Sequence, residues 1–157
     1  MSRAFVREDD QVQAQAPPEL KVSNLPNWVT PGGLKLIDDR LDELEKALSA
    51  QPDEHDAAWI RRDLRYWSHQ RASAQLVEPL AANANEVAFG ARVAFRRDGG
   101  PEEVIDIVGE DEADPQGGKI GWASPLARAL DGASVGDVVS LGDREIEVLA
   151  IGPIPGD

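Results

Sequence analysis

A regular series of apolar residues, interrupted by a proline, dictates the fold of the N-terminal half. Apolar side chains recur there at alternating steps of three and four, at Leu34, Ile37, Leu41, Leu44 and Leu48. This spacing puts them on one stripe of a helix and is typical of a coiled-coil seam. Pro52 must end the helix, because its ring and its missing N–H do not fit inside one. A lone helix of this length is marginal, so the stripe needs a partner.

The segment after Pro52 predicts that partner. A second helix is expected from about Asp56 to Val77, because apolar residues continue there at heptad-like spacing. These residues are Ile60, Leu64, Trp67 and Ala74. Thr30 is a suitable N-cap for the first helix, with Pro31 at its first position. The connection between the helices is short, so we expect an antiparallel helical hairpin, a short coiled coil, with residues 52–56 at its tip.

The C-terminal half has the patterns of strands and turns. Alternating apolar residues predict strands at 87–97, 104–108, 138–141 and 145–151. Asp98-Gly99-Gly100 predicts a hairpin turn. Ser124 caps one short helix, Pro125 begins it and Gly132 ends it. Strands with one short helix in about 70 residues predict a small antiparallel β domain, and an α+β class for the whole chain.

These patterns divide the chain into segments. Residues 1–26 have no sustained apolar period and are interpreted as a flexible arm. Residues 27–80 hold the helical hairpin, residues 81–86 a linker, and residues 87–157 the C-terminal domain. A chain of 157 residues allows this number of small domains.

Composition limits the location and the partners. The chain has no cysteine, no apolar run near the ~20 residues that span a bilayer, and an N-terminus without the apolar core of a signal peptide. We therefore expect a cytoplasmic protein without membrane contact. The formal charge of -13 repels phosphate backbones, so independent DNA binding is not expected. This charge favours a basic protein partner, or it serves only to keep the protein soluble.

Several separated motifs resemble the C-terminal domain of the Gre family of bacterial transcription elongation factors. They are Val87-Ala88-Phe89-Gly90, Val108-Gly109-Glu110-Asp111-Glu112-Ala113-Asp114, Ser124-Pro125-Leu126-Ala127 and Val135-Gly136-Asp137. The resemblance implies an FKBP-like fold for the C-terminal domain. It implies RNA polymerase as the partner, and RNA as a contact only within the elongation complex. It also implies that the chain is not itself an enzyme.

The hairpin tip is the first candidate site. Its carboxylates are Asp53, Glu54 and Asp56. The resemblance implies that such a tip enters the secondary channel of RNA polymerase and helps to hold Mg²⁺ and a water in the polymerase's own active site. Mg²⁺ prefers oxygen ligands, and two-metal sites activate water for attack. The chain itself is expected to bind no cofactor stably. The family's tip motif is absent, and the alternative role for these acids is helix capping.

Arginines on the second helix are the second candidate site. The resemblance implies that Arg61, Arg62 and Arg65 contact extruded RNA, because arginine suits phosphate and base contacts. The alternative is that these arginines form ion pairs with the acidic first helix.

The turn before the short helix is the third candidate site. The resemblance implies that Trp122, Ala123, Ser124 and Pro125 dock on the polymerase. A buried tryptophan is a common interface anchor, so Trp122 would strengthen this docking. Alternatively, Trp122 fills the core of its own domain.

The acidic loop from Glu110 to Asp114 invites a metal interpretation. It lacks the alternating oxygens and the central glycine of an EF-hand. Gly117-Gly118-Lys119 is not a phosphate-binding loop either, because Ile120 stands where that motif has Ser or Thr. No metal site within the chain is predicted.

The leading functional hypothesis is a transcription elongation factor at the secondary channel of RNA polymerase. It would relieve stalled or backtracked complexes by stimulating the polymerase's transcript cleavage. A first alternative keeps this partner: a short hairpin would regulate the channel without cleavage, as in the Rnk type. A second alternative is a prolyl isomerase, because of the FKBP-like fold, although a fold does not confer an activity.

Overall fold

A computed structural model describes residues 17–156. Most of the predicted arm, residues 1–16, lies outside the described residues, and residues 17–26 contain no helix or strand. The chain divides into two compact units. Of the described residues, one unit contains Ile37–Ser73 with residues 17–25, and the other contains Pro26–Leu36 with residues 74–156. The predicted boundaries of the hairpin, linker and C-terminal domain stay predictions.

Two helices form the predicted hairpin. Helix α1 spans Pro31–Ser49 and helix α2 spans Glu54–Ser73. The predicted cap is confirmed, because the Gly33 N–H donates to Thr30 Oγ1 at 2.9 Å. Helix α1 ends before Pro52, where Gln51 takes a left-handed conformation with φ 54°.

The antiparallel arrangement of the hairpin is confirmed by contacts between its helices. Arg71 of α2 pairs with Asp38 of α1 at 2.7 Å. Towards the other end, the Arg40 guanidinium of α1 lies 6.0 Å from the centroid of the Trp67 ring of α2. The residue numbers of α1 rise from one contact to the next while those of α2 fall, so the two helices run antiparallel.

A two-stranded parallel sheet, with one strand just before the two helices and one just after them, was not predicted. Strand β1, Trp28–Val29, pairs with strand β2, Gln75–Leu76. The Gln75 N–H donates to the Asn27 carbonyl at 2.8 Å, and the Val77 N–H donates to the Val29 carbonyl at 3.0 Å. Helix α2 therefore ends at Ser73, earlier than predicted, because the next residues pair as a strand. Two-residue strands are too short to show an apolar period.

The C-terminal sheet has five strands in the order β5-β4-β3-β7-β6. The strands are β3 at Ala91–Arg97, β4 at Glu102–Val108, β5 at Lys119–Gly121, β6 at Val138–Leu141 and β7 at Arg144–Pro153. The short helix α3 spans Pro125–Leu130. The predicted α+β class is confirmed.

The sheet is mixed rather than wholly antiparallel, which corrects one detail of the prediction. Strand β5 runs parallel to β4, with Ile120 beside Ile107. The loop between them contains a 3-10 turn at Pro115–Gly117, and Gly118 then takes φ 78°. This loop returns the chain far enough for β5 to run in the same direction as β4.

The core of the C-terminal unit lies between the sheet and helix α3. Its largest fully buried side chains are Phe95, Leu130, Ile146, Val87, Val93 and Val148. Burying one such side chain stabilises the fold by about 1.5–3 kcal/mol. Among residues 17–156, no helix has the length and apolar character that a membrane crossing requires.

Candidate functional site

The hairpin tip brings the three predicted carboxylates into one turn. Asp53 Oδ1 accepts a hydrogen bond from the Asp56 N–H at 2.8 Å. Asp53 therefore caps the start of α2, which is the capping role that the sequence left open. Glu54 pairs with Arg61 at 3.0 Å and remains 86% exposed.

The tip carries no metal cage of its own. Within the described part of the chain, no group of three His, Cys, Asp or Glu side chains is placed to hold a metal ion. Asp53, Glu54 and Asp56 are all exposed. The three tip carboxylates therefore lie at the surface of the hairpin.

Each of the three candidate arginines forms an ion pair within the hairpin unit. The partners are Glu54 for Arg61, Asp63 for Arg62 and Glu19 for Arg65. None of these three contacts is with helix α1, in contrast to the alternative interpretation. Arg71 instead makes the contact with that helix, through Asp38.

The contact between Glu19 and Arg65 joins the segment before the hairpin to helix α2. Arg65 Nε lies 3.1 Å and 3.2 Å from the two Glu19 carboxylate oxygens. The hydrogen bond from Arg65 lowers the pKa of Glu19, and the same bond raises the pKa of Arg65. Glu19 thus occupies the Nε and one terminal nitrogen of the Arg65 guanidinium.

Trp59 is a residue of the tip region that the sequence analysis missed. Its side chain is 40% exposed, and the Arg62 guanidinium lies 4.6 Å from its ring centroid. Its position in the sequence could have indicated this exposure, because Trp59 falls outside the apolar stripe of Ile60, Leu64 and Trp67. An aromatic residue off the buried stripe of a helix lies towards solvent.

The turn before α3 has the predicted local structure. The Ala127 N–H donates to Ser124 Oγ at 3.4 Å, and Pro125 is the first helical residue. Pro125 is exposed, while Ala123 and Ser124 are half-buried. The turn is thus a rigid surface feature, because both its cap and its proline fix the backbone.

Trp122 packs inside its own unit, as the core interpretation expected. Its ring centroid lies 4.3 Å from that of Trp28, and Trp28 meets Phe89 edge-on at 5.9 Å. Trp122 also packs against the buried core of the C-terminal unit. Its main contacts are therefore with its own domain.

The acidic loop contributes a structural contact that the sequence analysis missed. The Thr30 hydroxyl donates to Glu112 Oε1, and Lys119 Nζ lies 3.5 Å from Glu112 Oε2. The Glu112 side chain is only 8% exposed. Glu112 therefore helps to fix the first turn of α1. The sequence signal that could have indicated this contact is Gly33, three residues after Thr30. A glycine has no Cβ and lets another side chain approach the helix closely.

The capped turn, the mixed sheet and the acidic loop belong to one small α+β domain. Residues 82–153 match the model of the family described as "Transcription elongation factor, GreA/GreB, C-term". Residues 82–153 are therefore similar to the C-terminal domain of that family, which confirms the resemblance found in the sequence.

Individual relatives agree with the family match. The chain is 42% identical over 97 residues to transcription elongation factor GreB of Neisseria meningitidis serogroup B, covering 59% of this chain and 60% of the relative. It is 43% identical over 86 residues to GreA of Alkalilimnicola ehrlichii, covering 51% of this chain and 54% of the relative. The matches thus span between half and three fifths of these relatives' own length.

The chain also has a weak similarity to a solved structure. The GreA factor homolog 1 (Gfh1) protein of Thermus thermophilus is 22% identical, with 81% of this chain and 99% of that chain covered. The TM-score is 0.39, which carries no inference about the whole chain.

Proposed function

We propose that this chain is a transcription elongation factor that binds RNA polymerase at its secondary channel and relieves stalled or backtracked complexes. The observation that carries the proposal is that a GreA/GreB C-terminal domain is joined to an antiparallel helical hairpin. The C-terminal domain would dock through the rigid Ser124-Pro125 turn. The partner is a protein, and RNA is met only inside the elongation complex.

In this proposal, the hairpin stimulates the polymerase's own transcript cleavage. Asp53, Glu54 and Asp56 would supply oxygen ligands to Mg²⁺ held in the polymerase active site, where a second metal activates water. The chain would contribute ligands and position, and the polymerase would make and break the bonds. The chain would therefore act as a cofactor of the polymerase. Its place of action would be the cytoplasm.

A second candidate is a regulator of the same channel that does not support cleavage. Two observations favour it. Helix α1 has 19 residues, about 28 Å at 1.5 Å per residue, which limits its reach. Two of the tip acids also have partners within the hairpin, since Asp53 caps α2 and Glu54 pairs with Arg61.

Transcript cleavage in backtracked complexes of the cognate polymerase tests the proposal. The informative variant is Asp53→Asn/Glu54→Gln/Asp56→Asn. It removes the charges and keeps an oxygen at position 53, so that the helix cap survives. Asp143→Asn, in the exposed turn between β6 and β7, is the matched control.

Three outcomes are distinguished by this design. Shortened RNA with the unmodified chain, lost only in the triple variant, supports cleavage stimulation through the tip. Binding to polymerase without shortened RNA supports the non-cleaving regulator. An absence of binding overturns the proposal.

A further inference from the structure

Trp59 is the one aromatic side chain among the exposed large apolar residues of the described chain. It lies in the second turn of α2, close to the hairpin tip. At about 100° per residue, it is rotated about 80° around α2 from Trp67, which faces helix α1. The helix packing that buries Ala57 therefore leaves the Trp59 indole at the surface.

The Trp59 indole is contacted by side chains of its own helix on two sides. Arg62 covers one part of the ring at 4.6 Å, and Asp63 fixes Arg62 through contacts of 2.9 Å and 2.6 Å. The Arg62 side chain is only 14% exposed. His55 lies one turn earlier, with its ring centroid 6.3 Å from that of Trp59. A side chain already restrained in this way loses little further rotamer freedom on binding.

Charges around Trp59 select the kind of partner. Residues 53–63 contain four carboxylates and two guanidinium groups. Arg61 and Arg62 are matched by Glu54 and Asp63, while Asp53 and Asp56 have no cationic partner within the described residues. The surface is therefore acidic, on a chain of formal charge -13.

This charge favours a basic protein surface, rather than nucleic acid or a second copy of the chain, as the partner of the tip. Nucleic acid carries the same sign as the tip, so its phosphates are repelled. A second copy of the chain would place acidic tips against each other. A protein pocket with an apolar floor and a rim of lysine or arginine satisfies both the indole and the carboxylates. A cationic rim also suits the electron-rich indole face.

We infer that Trp59 anchors the hairpin tip in a basic, apolar pocket of its protein partner. This inference rests on the proposed function, since the partner is taken to be RNA polymerase. Exposed tryptophan held in a fixed rotamer has the properties of an interface hot spot. Trp59 acts together with the tip carboxylates: the indole supplies buried area and the acids supply orientation.

A direct binding titration tests this inference. The chain has no cysteine, so Asp143→Cys in the β6–β7 turn gives a single labelling position for a fluorescent maleimide. Core RNA polymerase is titrated into the labelled chain, and the anisotropy gives Kd. The variants are Trp59→Ala, Trp59→Phe and, as the matched control, Leu76→Ala, which truncates a side chain that is 54% exposed.

Trp59→Ala is expected to weaken binding about 30-fold, the size of a hot-spot truncation. Trp59→Phe should weaken binding by a smaller factor, and Leu76→Ala should have the same Kd as the parent chain. Thermal unfolding of each variant shows that the hairpin still folds. Equal Kd values for Trp59→Ala and the parent chain would overturn the inference and leave the proposed function intact.

The two proposals fail in distinguishable ways. If the parent chain does not bind core polymerase, the proposed function fails and the inference fails with it. A single-stranded RNA of 20 nucleotides serves as the second probe, on the order of the site sizes of single-strand binders. Binding of this RNA that is lost in Trp59→Ala would contradict the assignment of a protein pocket.

Discussion

The Thr30 hydroxyl donates a hydrogen bond to the Glu112 carboxylate across 82 positions of the sequence. Thr30 also accepts a hydrogen bond from the Gly33 N–H at 2.9 Å, so a single hydroxyl caps α1 and binds the acidic loop. Thr30 is 7% exposed and the Glu112 side chain is 8% exposed. The base of the hairpin helix is therefore fixed by a buried polar contact.

Thr30→Val should destabilise the fold by about 2–3 kcal/mol. It removes a helix cap, which costs about 1 kcal/mol, and leaves Glu112 with one donor fewer in a buried position. Thr30→Ser keeps the hydroxyl and should lose less than 1 kcal/mol by the same reasoning. Urea unfolding measures both. Equal stability of the valine and serine variants would show that the hydroxyl contacts contribute nothing.

Gly33→Ala should also be destabilising, although alanine favours a helix by about 1 kcal/mol over glycine. A Cβ at position 33 would lie 2.9 Å from Glu112 Oε1 and 3.4 Å from Thr30 Oγ1. One of these polar partners must then move. The control is Gly152→Ala in β7, where a Cβ meets nothing within 4 Å. Chemical unfolding of both variants decides the point, and a stabilised Gly33→Ala would contradict the close packing.

The pKa of Glu19 should be lower than the ordinary value of 4.5, because Arg65 donates to its carboxylate. A lowered pKa in the folded state means that the contact contributes above the ordinary pKa. Its contribution is lost as pH falls through the folded pKa. An NMR titration of the Glu19 carboxyl carbon measures this, and Arg65→Gln should move the midpoint up towards the ordinary value. A midpoint that is unchanged by Arg65→Gln would contradict the assigned cause.

Trp122→Ala should cost about 3 kcal/mol of stability, because the indole packs against Trp28 and the core. The rings lie 4.3 Å apart, so the near-UV circular dichroism should also weaken strongly. Trp122→Phe should keep most of the stability. A fully stable Trp122→Ala with reduced polymerase binding would instead make Trp122 a docking anchor.

Local patterns in the sequence were sufficient to predict the helix caps, the hairpin and one strand. Thr30 and Ser124 were predicted as caps because a short polar side chain before a proline has few other roles. The hairpin followed from the apolar stripe and Pro52. Strand β6 was predicted at Val138–Leu141, the same bounds that the structure has.

The remaining features depend on contacts between distant segments. The partner of Glu112 lies 82 residues away, and no periodicity indicates such a pair. Strand β5 has three residues, so neither its existence nor its parallel direction could be read from alternation. The partner of Arg65 proved to be Glu19 from the segment before the hairpin. Charge patterns indicate that ion pairs form, but not which ones.

Competition with a GreA or GreB protein of the same organism tests polymerase binding at the secondary channel most directly. A fluorescently labelled Gre protein is bound to core RNA polymerase, and the unlabelled chain is added. We predict complete displacement, with a midpoint that rises in proportion to the concentration of the Gre protein. A complex in which both proteins stay bound would contradict the proposed site, even if the chain binds the polymerase elsewhere.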